Sequence, residues 1–160
     1  MFPIDTVLYT LLYRCHLMEK HVQQLHAILQ AARQSRFPLI VVIPGSGLIA
    51  RHAIEGGAHF LMVLNAGLYR LSGVSSLASF LPFGNANDQT ERLLRSQIVP
   101  RNNATPIVAG VMAGDPALPL HVRFHRLKEL GVAGVINWPA VGLVSGNFRE
   151  ILAREGLTVE

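Results

Sequence analysis

The chain carries four short runs of hydrophobic residues, and each run ends in glycine, proline or a small polar residue. Within a run the residues are apolar almost throughout and do not alternate with polar ones. That pattern predicts strands buried on both faces, as in a parallel sheet covered by helices. The four predicted strands lie at residues 38–43, 59–65, 105–112 and 132–138.

Segments with helical character separate and follow these strands. Gly56-Gly57 closes the first of them and Gly131 the third, as glycine often does at helix C-termini. The repeated order of strand and helix predicts four βα units of the α/β class. The predicted helices lie at residues 47–58, 87–99, 119–131 and 146–155.

Two stretches do not follow this alternation. Residues 66–87 show no clear periodicity, and they are predicted to form a long irregular segment of the kind that often serves as a lid or binding loop. The last five residues, 156–160, suit the start of a fifth strand but stop short of a whole one.

The N-terminal part has a different pattern. Residues 6–34 contain no glycine or proline, and apolar residues recur at helical spacing from Leu8 to Leu29. One long helix or two shorter ones are predicted. The apolar stripe either packs on the rest of the domain, which is the commoner case, or forms a surface for a partner. The chain is therefore divided into an N-terminal helical segment, residues 1–34, and a βα domain, residues 35–160.

Composition narrows the classes of protein. Half of the 160 residues are hydrophobic and 15% are charged, which favours one compact domain over a disordered chain. The net charge of +4 comes from scattered basic residues without interleaved aromatic ones, which argues against nucleic-acid binding. The single cysteine, Cys15, excludes an internal disulfide and fits a reducing compartment. No apolar run approaches the ~20 residues of a membrane span, so a cytoplasmic location without membrane contact is expected.

Small polar residues follow each predicted strand. In a parallel sheet every loop from strand to helix leaves at the carboxyl edge, where ligands bind. The clusters therefore predict one binding face, suited to a small, negatively charged metabolite. They lie at residues 45–47, 65–67, 114–115 and 137–142.

The first of these loops reads Pro44-Gly45-Ser46-Gly47, directly before a predicted helix. Such a turn offers backbone N–H groups, a hydroxyl and the positive end of a helix dipole to an anion. It has no P-loop lysine and lacks the full spacing of a dinucleotide fingerprint. Two interpretations remain: an anion cradle, or a tight turn in which Ser46 caps the helix.

Two charged residues near the same edge are candidates for chemistry. Arg70 has the forked geometry that pairs with a carboxylate or phosphate, unless it is simply a surface arginine. Asp115 is either a metal ligand or a base, or it is a turn residue before a proline. His121 and His125 lie four apart, a metal-binding spacing, but no third ligand is evident and solvated imidazoles are expected.

Three segments carry a resemblance to a known family. They read "IPGSGLIARHAIEGGAHFLMVLNAGLYRLSGVSSLASFLPFGNAN", "PIVAGVMAGDP" and "GVINWPAVGLVSGNFREILAREGL". With them, the chain from Leu25 to Leu157 resembles the phosphoenolpyruvate hydrolase-like family, which is similar to phosphoenolpyruvate mutase and isocitrate lyase. The resemblance implies a (β/α)8 TIM barrel. Four βα units make a partial barrel, roughly the first half, since a whole one takes about 250 residues.

The resemblance also implies a set of site residues. It gives catalytic roles to Asp115, Asn65 and Asn137, and it makes Asp115 the ligand of a Mg²⁺ ion. Where the family tends to read Gly-Asp-Ala-Asn, this chain reads Gly84-Asn85-Ala86-Asn87, so an amide replaces a carboxylate. Together with the first-loop pattern, the resemblance assigns substrate binding to Gly45, Ser46, Gly47, Gly67, Arg70 and Ser75.

Two functions are consistent with these residues. In the first, the protein binds a small phospho- or phosphono-carboxylate and hydrolyses it or cleaves its C–O or C–P bond, with Mg²⁺ stabilising an enolate. In the second, it is a non-catalytic ligand-sensing or assembly module derived from the barrel, which the scarcity of carboxylates on the loop face favours.

A half barrel also has consequences for assembly. It leaves two strand edges unpaired and an inner face uncovered, which drives association. We expect a homo-oligomer, a partner chain that completes the barrel, or an open sheet partly covered by the N-terminal segment.

Overall fold

A computed structural model describes residues 4–35, 38–102 and 104–157, with side chains from Glu19 onward. The proposed start of a fifth strand falls mainly on residues 158–160, which lie outside the described residues. The strands are β1 (Val41–Val42), β2 (Phe60–Val63), β3 (Ile107–Val111) and β4 (Gly134–Asn137). The helices are α1 (Ile4–Ser35), α2 (Gly47–Glu55), α3 (Ala66–Leu71), α4 (Ala86–Leu93), α5 (Leu120–Glu129) and α6 (Gly146–Arg154).

The four strands form one parallel sheet in chain order, β1-β2-β3-β4. Leu61 of β2 lies opposite Ile107 of β3, and Val108 of β3 lies opposite Gly134 of β4. At least one helix lies in each connection between neighbouring strands, because parallel strands cannot be joined by a tight turn. This is the predicted α/β fold, a partial TIM-barrel-like unit.

The main core lies on one face of the sheet. Leu61 and Ala109 are fully buried there, and Leu127 of α5 packs over them in the same cluster. Ala50 of α2 and Leu94, in the π-helical turn Leu94–Ile98 that continues α4, complete this layer. The apolar character of alternate strand residues on this side is therefore explained by a layer of helices.

Helix α1 covers part of the opposite face. Its Leu25 and Ile28 pack against Phe60 and Val108, whose side chains point away from the main core. In the part of the stripe whose side chains the structure describes, Leu25 and Ile28 thus pack on the domain, whereas Val22 and Leu29 remain exposed. The side chains of the stripe from Leu8 to Met18 lie outside the described residues. None of the described helices is both long and apolar enough to cross a membrane.

The segment predicted to be irregular, residues 66–87, is largely helical, so that prediction was wrong. It contains α3, the 3-10 helix Ser76–Phe80 and the start of α4. Ser75 caps the 3-10 helix, and its Oγ accepts a hydrogen bond from the Leu77 N–H at 3.2 Å. Helices of five or six residues are too short to show a period of apolar positions, which is why the pattern gave no signal.

Candidate functional site

The loops after all four strands leave the same edge of the sheet, because the strands are parallel. The predicted site residues on these loops nevertheless fall into separate groups of contacts. One group joins the first two loops, a second surrounds Asn65, and a third surrounds Asp115. Asn137 lies on a cavity beside the ends of β3 and β4.

The first two loops touch through their glycines. A Cβ added to Gly67 would lie 2.6 Å from the Pro44 carbonyl oxygen and 3.1 Å from Gly45 Cα. A Cβ added to Gly45 would overlap the carbonyl oxygen of Gly67. Both positions are therefore occupied by backbone of the other loop, and glycine is needed there for close packing.

One of the donors predicted for an anion is engaged within the chain. The Gly47 N–H donates to Gln97 Oε1 at 3.0 Å, and a Cβ at Gly47 would lie 2.7 Å from Arg101 Cδ. Ser46 Oγ accepts from the Ile49 N–H at 3.3 Å and so caps α2. This geometry matches the tight-turn interpretation of the loop. The hydrogen bond between Gly47 and Gln97 joins the start of α2 to the π-helical turn after α4.

Asn65 is a buried link between β2 and the segment that follows. Its side chain is 1% exposed, and Nδ2 donates to the Ser79 carbonyl at 3.3 Å and to Gln89 Oε1 at 3.4 Å. Gln89 also donates to the hydroxyl of Tyr69 at 3.1 Å. Asn65 Oδ1 is buried without a hydrogen-bond partner among the described residues. The predicted catalytic amide thus holds α3, the 3-10 helix and α4 together.

Arg70 and Ser75 lie outside the cavity. Arg70 is exposed in the last turn of α3, and Ser75 caps the 3-10 helix described above. Neither residue lines the cavity near Asn137. Their roles in substrate binding stay predictions.

Asp115 is the centre of the most extensive polar network on this edge. Its Oδ2 accepts hydrogen bonds from Asn85 Nδ2 at 2.9 Å and from Asn87 Nδ2 at 2.8 Å. The same oxygen lies 3.2 Å from an Arg123 nitrogen, and Oδ1 accepts from the Ala117 N–H at 2.9 Å. The side chain is only 5% exposed. The carboxylate thereby joins the start of α4, its own loop and α5.

Opposing effects act on the pKa of Asp115. Burial has the largest single effect and raises the pKa, but the hydrogen bonds from Asn85, Ala117 and Asn87, together with the charge of Arg123, outweigh it. The net result is a pKa below the usual value for aspartate, because every neighbour that contacts the carboxylate favours its charged form. Asp115 is accordingly an anion at neutral pH.

Arg123, which sequence reasoning missed, is the cation of this network. Its side chain is 3% exposed, and besides Asp115 it contacts Asp88 at 2.9 Å and Glu91 at 3.5 Å. Three carboxylates from two other segments thus surround one guanidinium. Nothing in the local sequence distinguishes Arg123 from Arg126, its neighbour one turn along α5, which remains about half exposed.

The arrangement around Asp115 does not fit the expected Mg²⁺ ion. Within the described ranges, no group of three or more His, Cys, Asp or Glu side chains is placed to hold a metal. A cation at Oδ2 would have to displace Arg123 and two amide donors, while Mg²⁺ requires several oxygen ligands in octahedral geometry. The contacts therefore suit a structural carboxylate better than a metal ligand.

A cavity of about 660 Å³ opens beside the ends of β3 and β4. Its walls come from the segment before α4, the loops after β3 and β4, and one side of α6. Of the residues given a catalytic or binding role by name, Asn137 alone lines it. Gly114 and part of the predicted cluster 137–142 also line it, as does part of residues 66–87, the predicted lid or binding loop. Only the wall from α6 had no signal in the sequence pattern. The lining residues are Ser79, Phe80, Leu81, Pro82, Gly84, Asn85, Ala86, Met112, Ala113, Gly114, Asn137, Pro139, Ala140, Val141, Gly142, Val144, Phe148, Leu152, Gly156 and Leu157.

Comparisons of the sequence with known proteins place this chain in a family. The family model described as phosphoenolpyruvate hydrolase-like matches residues 23–160. The ToMV resistance protein Tm-1(GCR237) of Solanum lycopersicum is 34% identical over 120 residues, which are 75% of this chain and 16% of that protein. The putative transcriptional regulatory protein y4pA of Sinorhizobium fredii is 32% identical over 113 residues, 71% of this chain and 18% of that protein.

The ToMV susceptible protein tm-1(GCR26), also from Solanum lycopersicum, matches with the same identity and coverage as the resistance protein. The chain thus spans less than a fifth of the length of the curated relatives it matches. The match to the family model covers all of the βα domain and the last part of α1. On these grounds the chain belongs to the phosphoenolpyruvate hydrolase-like family.

Proposed function

We propose that this chain is a ligand-binding module derived from a phosphoenolpyruvate hydrolase-like barrel, and that it binds its ligand without turning it over. The observation that carries the proposal is the state of Asp115, the acid on which proton transfer and metal binding were expected to depend. Its carboxylate accepts hydrogen bonds from two amides, one backbone N–H and Arg123. A carboxylate held in this way is suited to fixing α4 against α5. Both of its oxygens already accept hydrogen bonds within the chain, so it is poorly placed to take a proton from a substrate.

Asn85 supports the same proposal. It stands where the family pattern leads us to expect aspartate, and its Nδ2 lies 2.9 Å from Asp115 Oδ2. An aspartate at this position would bring two carboxylates into contact, an arrangement that a divalent cation stabilises. The amide instead donates a hydrogen bond, so the two side chains attract each other without a metal.

We expect the purified protein to release no phosphate from phosphoenolpyruvate or phosphonopyruvate, with or without Mg²⁺. The rate should equal that of the Asp115→Asn variant, because the wild-type carboxylate is already committed to internal hydrogen bonds. A colorimetric phosphate assay measures both proteins side by side. Release by the wild type that disappears in Asp115→Asn would contradict the proposal.

Asn85→Asp is the matched control for the role of the amide. Aspartate is as good an N-cap as asparagine, so the start of α4 is kept. We expect Mg²⁺ to raise the melting temperature of this variant and to leave that of the wild type unchanged. An equal rise in both proteins would show that Mg²⁺ binds without a second carboxylate here.

Turnover of a phospho- or phosphono-carboxylate is the second candidate function, and the family match favours it. Arg70 would then pair with the carboxylate, the first loop would hold the phosphate, and Asn65 and Asn137 would orient the substrate. In the same assay, phosphate release that falls in Arg70→Ala as well as in Asp115→Asn would support this candidate over the first.

We also infer that the module assembles through β4 and that it does so in the cytoplasm. Val135 is 48% and Ile136 39% exposed, although both are apolar residues of a strand. In the described chain β4 pairs only with β3, so its outer edge keeps free backbone donors and acceptors. The β1 edge of a second copy would extend the sheet in parallel, and two such contacts would close a barrel of eight strands.

Sedimentation should therefore detect a dimer whose dissociation constant rises at least about tenfold in Val135→Lys, because a charge would be buried at the strand edge. Val74→Lys is the control, since Val74 is an equally exposed valine (49%) outside the sheet. A wild-type protein that stays monomeric at every concentration would rule out assembly between copies and leave a different partner chain.

A further inference from the structure

The cavity beside β3 and β4 does not have the lining that an anionic metabolite requires. We propose that it binds an uncharged, mainly apolar small molecule, a ring or short aliphatic group that carries one hydroxyl or carbonyl. The inference rests on the proposed binding function and names the chemical class of its ligand. It replaces the phosphocarboxylate that the sequence led us to expect.

The size of the cavity fits this class. Its volume of about 660 Å³ lies within the range of about 300–1,000 Å³ found for small-molecule sites. Aromatic and aliphatic side chains from three segments face it, among them Phe80, Met112 and Phe148. Such walls gain free energy by contact with carbon groups of a ligand.

The charge around the cavity argues against an anion. No Lys, Arg, His, Asp or Glu is among its lining residues in the part of the chain that the structure describes. An anion placed there would lose hydration without gaining a cation, which is costly. The nearest network with a cation is that of Asp115, where the charge of Arg123 is already surrounded by three carboxylates.

One polar side chain is positioned to select the ligand. Asn137 lines the cavity, and its Oδ1 lies 3.4 Å from the Ala113 N–H, which leaves the Nδ2 donor for an acceptor atom. The amide of Asn85, by contrast, donates to Asp115 and accepts from the Asp88 N–H. The ligand therefore needs one acceptor, such as a hydroxyl or carbonyl oxygen, near the end of β4.

Helix α6 supplies a wall of the cavity and is itself poorly covered by the described part of the chain. Phe148, Leu152 and Gly156 lie four residues apart on the side that lines the cavity. No residue of α6 is buried, and Phe148 is 59% exposed. A ligand between α6 and the loop after β4 would bury these side chains, so occupation of the cavity should also stabilise the helix.

Phenylpropanol and phenylpropyl phosphate make a matched pair of probes, because they differ only in the phosphate. We expect calorimetry on the full chain to show binding of phenylpropanol, with the phosphate ester at least about tenfold weaker. Trp138 is the only tryptophan in the sequence, and its ring lies 5.2 Å from that of Phe80 in the cavity wall. Its fluorescence should therefore change on binding.

Phe148→Ala is expected to weaken phenylpropanol binding about tenfold, since an aromatic wall is lost. Phe83→Ala is the control, because Phe83 is also a largely exposed phenylalanine but does not line the cavity. Circular dichroism of both variants verifies that the fold is kept. Equal effects of the two substitutions would overturn the assignment of the site.

The remaining outcomes separate the inference from the function on which it rests. Equal or tighter binding of phenylpropyl phosphate, or no binding of phenylpropanol, would refute the uncharged ligand while leaving a non-catalytic module possible. If Phe148→Ala instead separates copies of the chain in sedimentation and phenylpropanol does not bind, the cavity is an interface. Phosphate release in the assay above would contradict the proposed function itself.

Discussion

Replacing Arg123 with alanine is expected to destabilise the fold by about 3–5 kcal/mol, the cost of removing one partner from a buried ion pair. The guanidinium is 3% exposed and contacts Asp115, which is 5% exposed, and Glu91, which is 13% exposed. Without it, the buried Asp115 carboxylate would lose the cation that it contacts, and Glu91 would keep only the exposed Arg95 and Arg126. Urea unfolding followed by circular dichroism measures the difference.

Arg126→Ala is the matched control on the same helix. Arg126 approaches the same Glu91 at 3.9 Å, but it is 47% exposed, and exposed ion pairs contribute about 0–1 kcal/mol. Arg123→Lys is expected to fall between the two alanine variants, because lysine keeps the charge but not the fork that reaches two segments. If Arg123→Ala costs no more than Arg126→Ala, the network around Asp115 is not what fixes α4 against α5.

The sheet could be predicted from the sequence because its physical cause is local. A strand buried on both faces must be apolar throughout, as β3 is from Ile107 to Val111, and the loops after parallel strands must leave one edge. The same local cause predicted α2, whose Ser46 cap and Gly56 end lie in the chain next to the helix. The short helix α3 could not be predicted in this way, because six residues are too few to show a helical period of apolar positions.

The site could not be predicted in the same way because its contacts join distant residues. Asn87 and Asp115 are 28 positions apart, and Gly47 and Gln97 are 50 apart. A loop whose N–H groups are all free and a loop with one N–H bonded to a distant glutamine have the same local sequence. The anion cradle expected at residues 45–47 therefore stays a prediction, with its Gly47 N–H already bonded to Gln97.

Gly67→Ala is expected to prevent stable folding or to cost more than the about 1–3 kcal/mol typical of overpacking. The new Cβ would lie 2.6 Å from the Pro44 carbonyl oxygen and 3.0 Å from its carbon, both of them backbone atoms. A flexible side chain can turn away from such a clash, but the backbone of Pro44, a fully buried residue, cannot. The loop after β1 would have to move, and with it the capped start of α2. Soluble expression and the midpoint of urea unfolding measure the effect.

Gly114→Ala is the matched control, because a Cβ at Gly114 meets no atom within 4 Å. It should express and unfold like the wild type, since a loop alanine in open space adds no contact. The comparison also tests why the first two loops are rich in glycine. An anion cradle would tolerate a methyl group that does not block the ligand, whereas backbone packed against backbone would not. A Gly67→Ala protein as stable as Gly114→Ala would therefore show that the loops can separate, and it would reopen the space between them to a ligand.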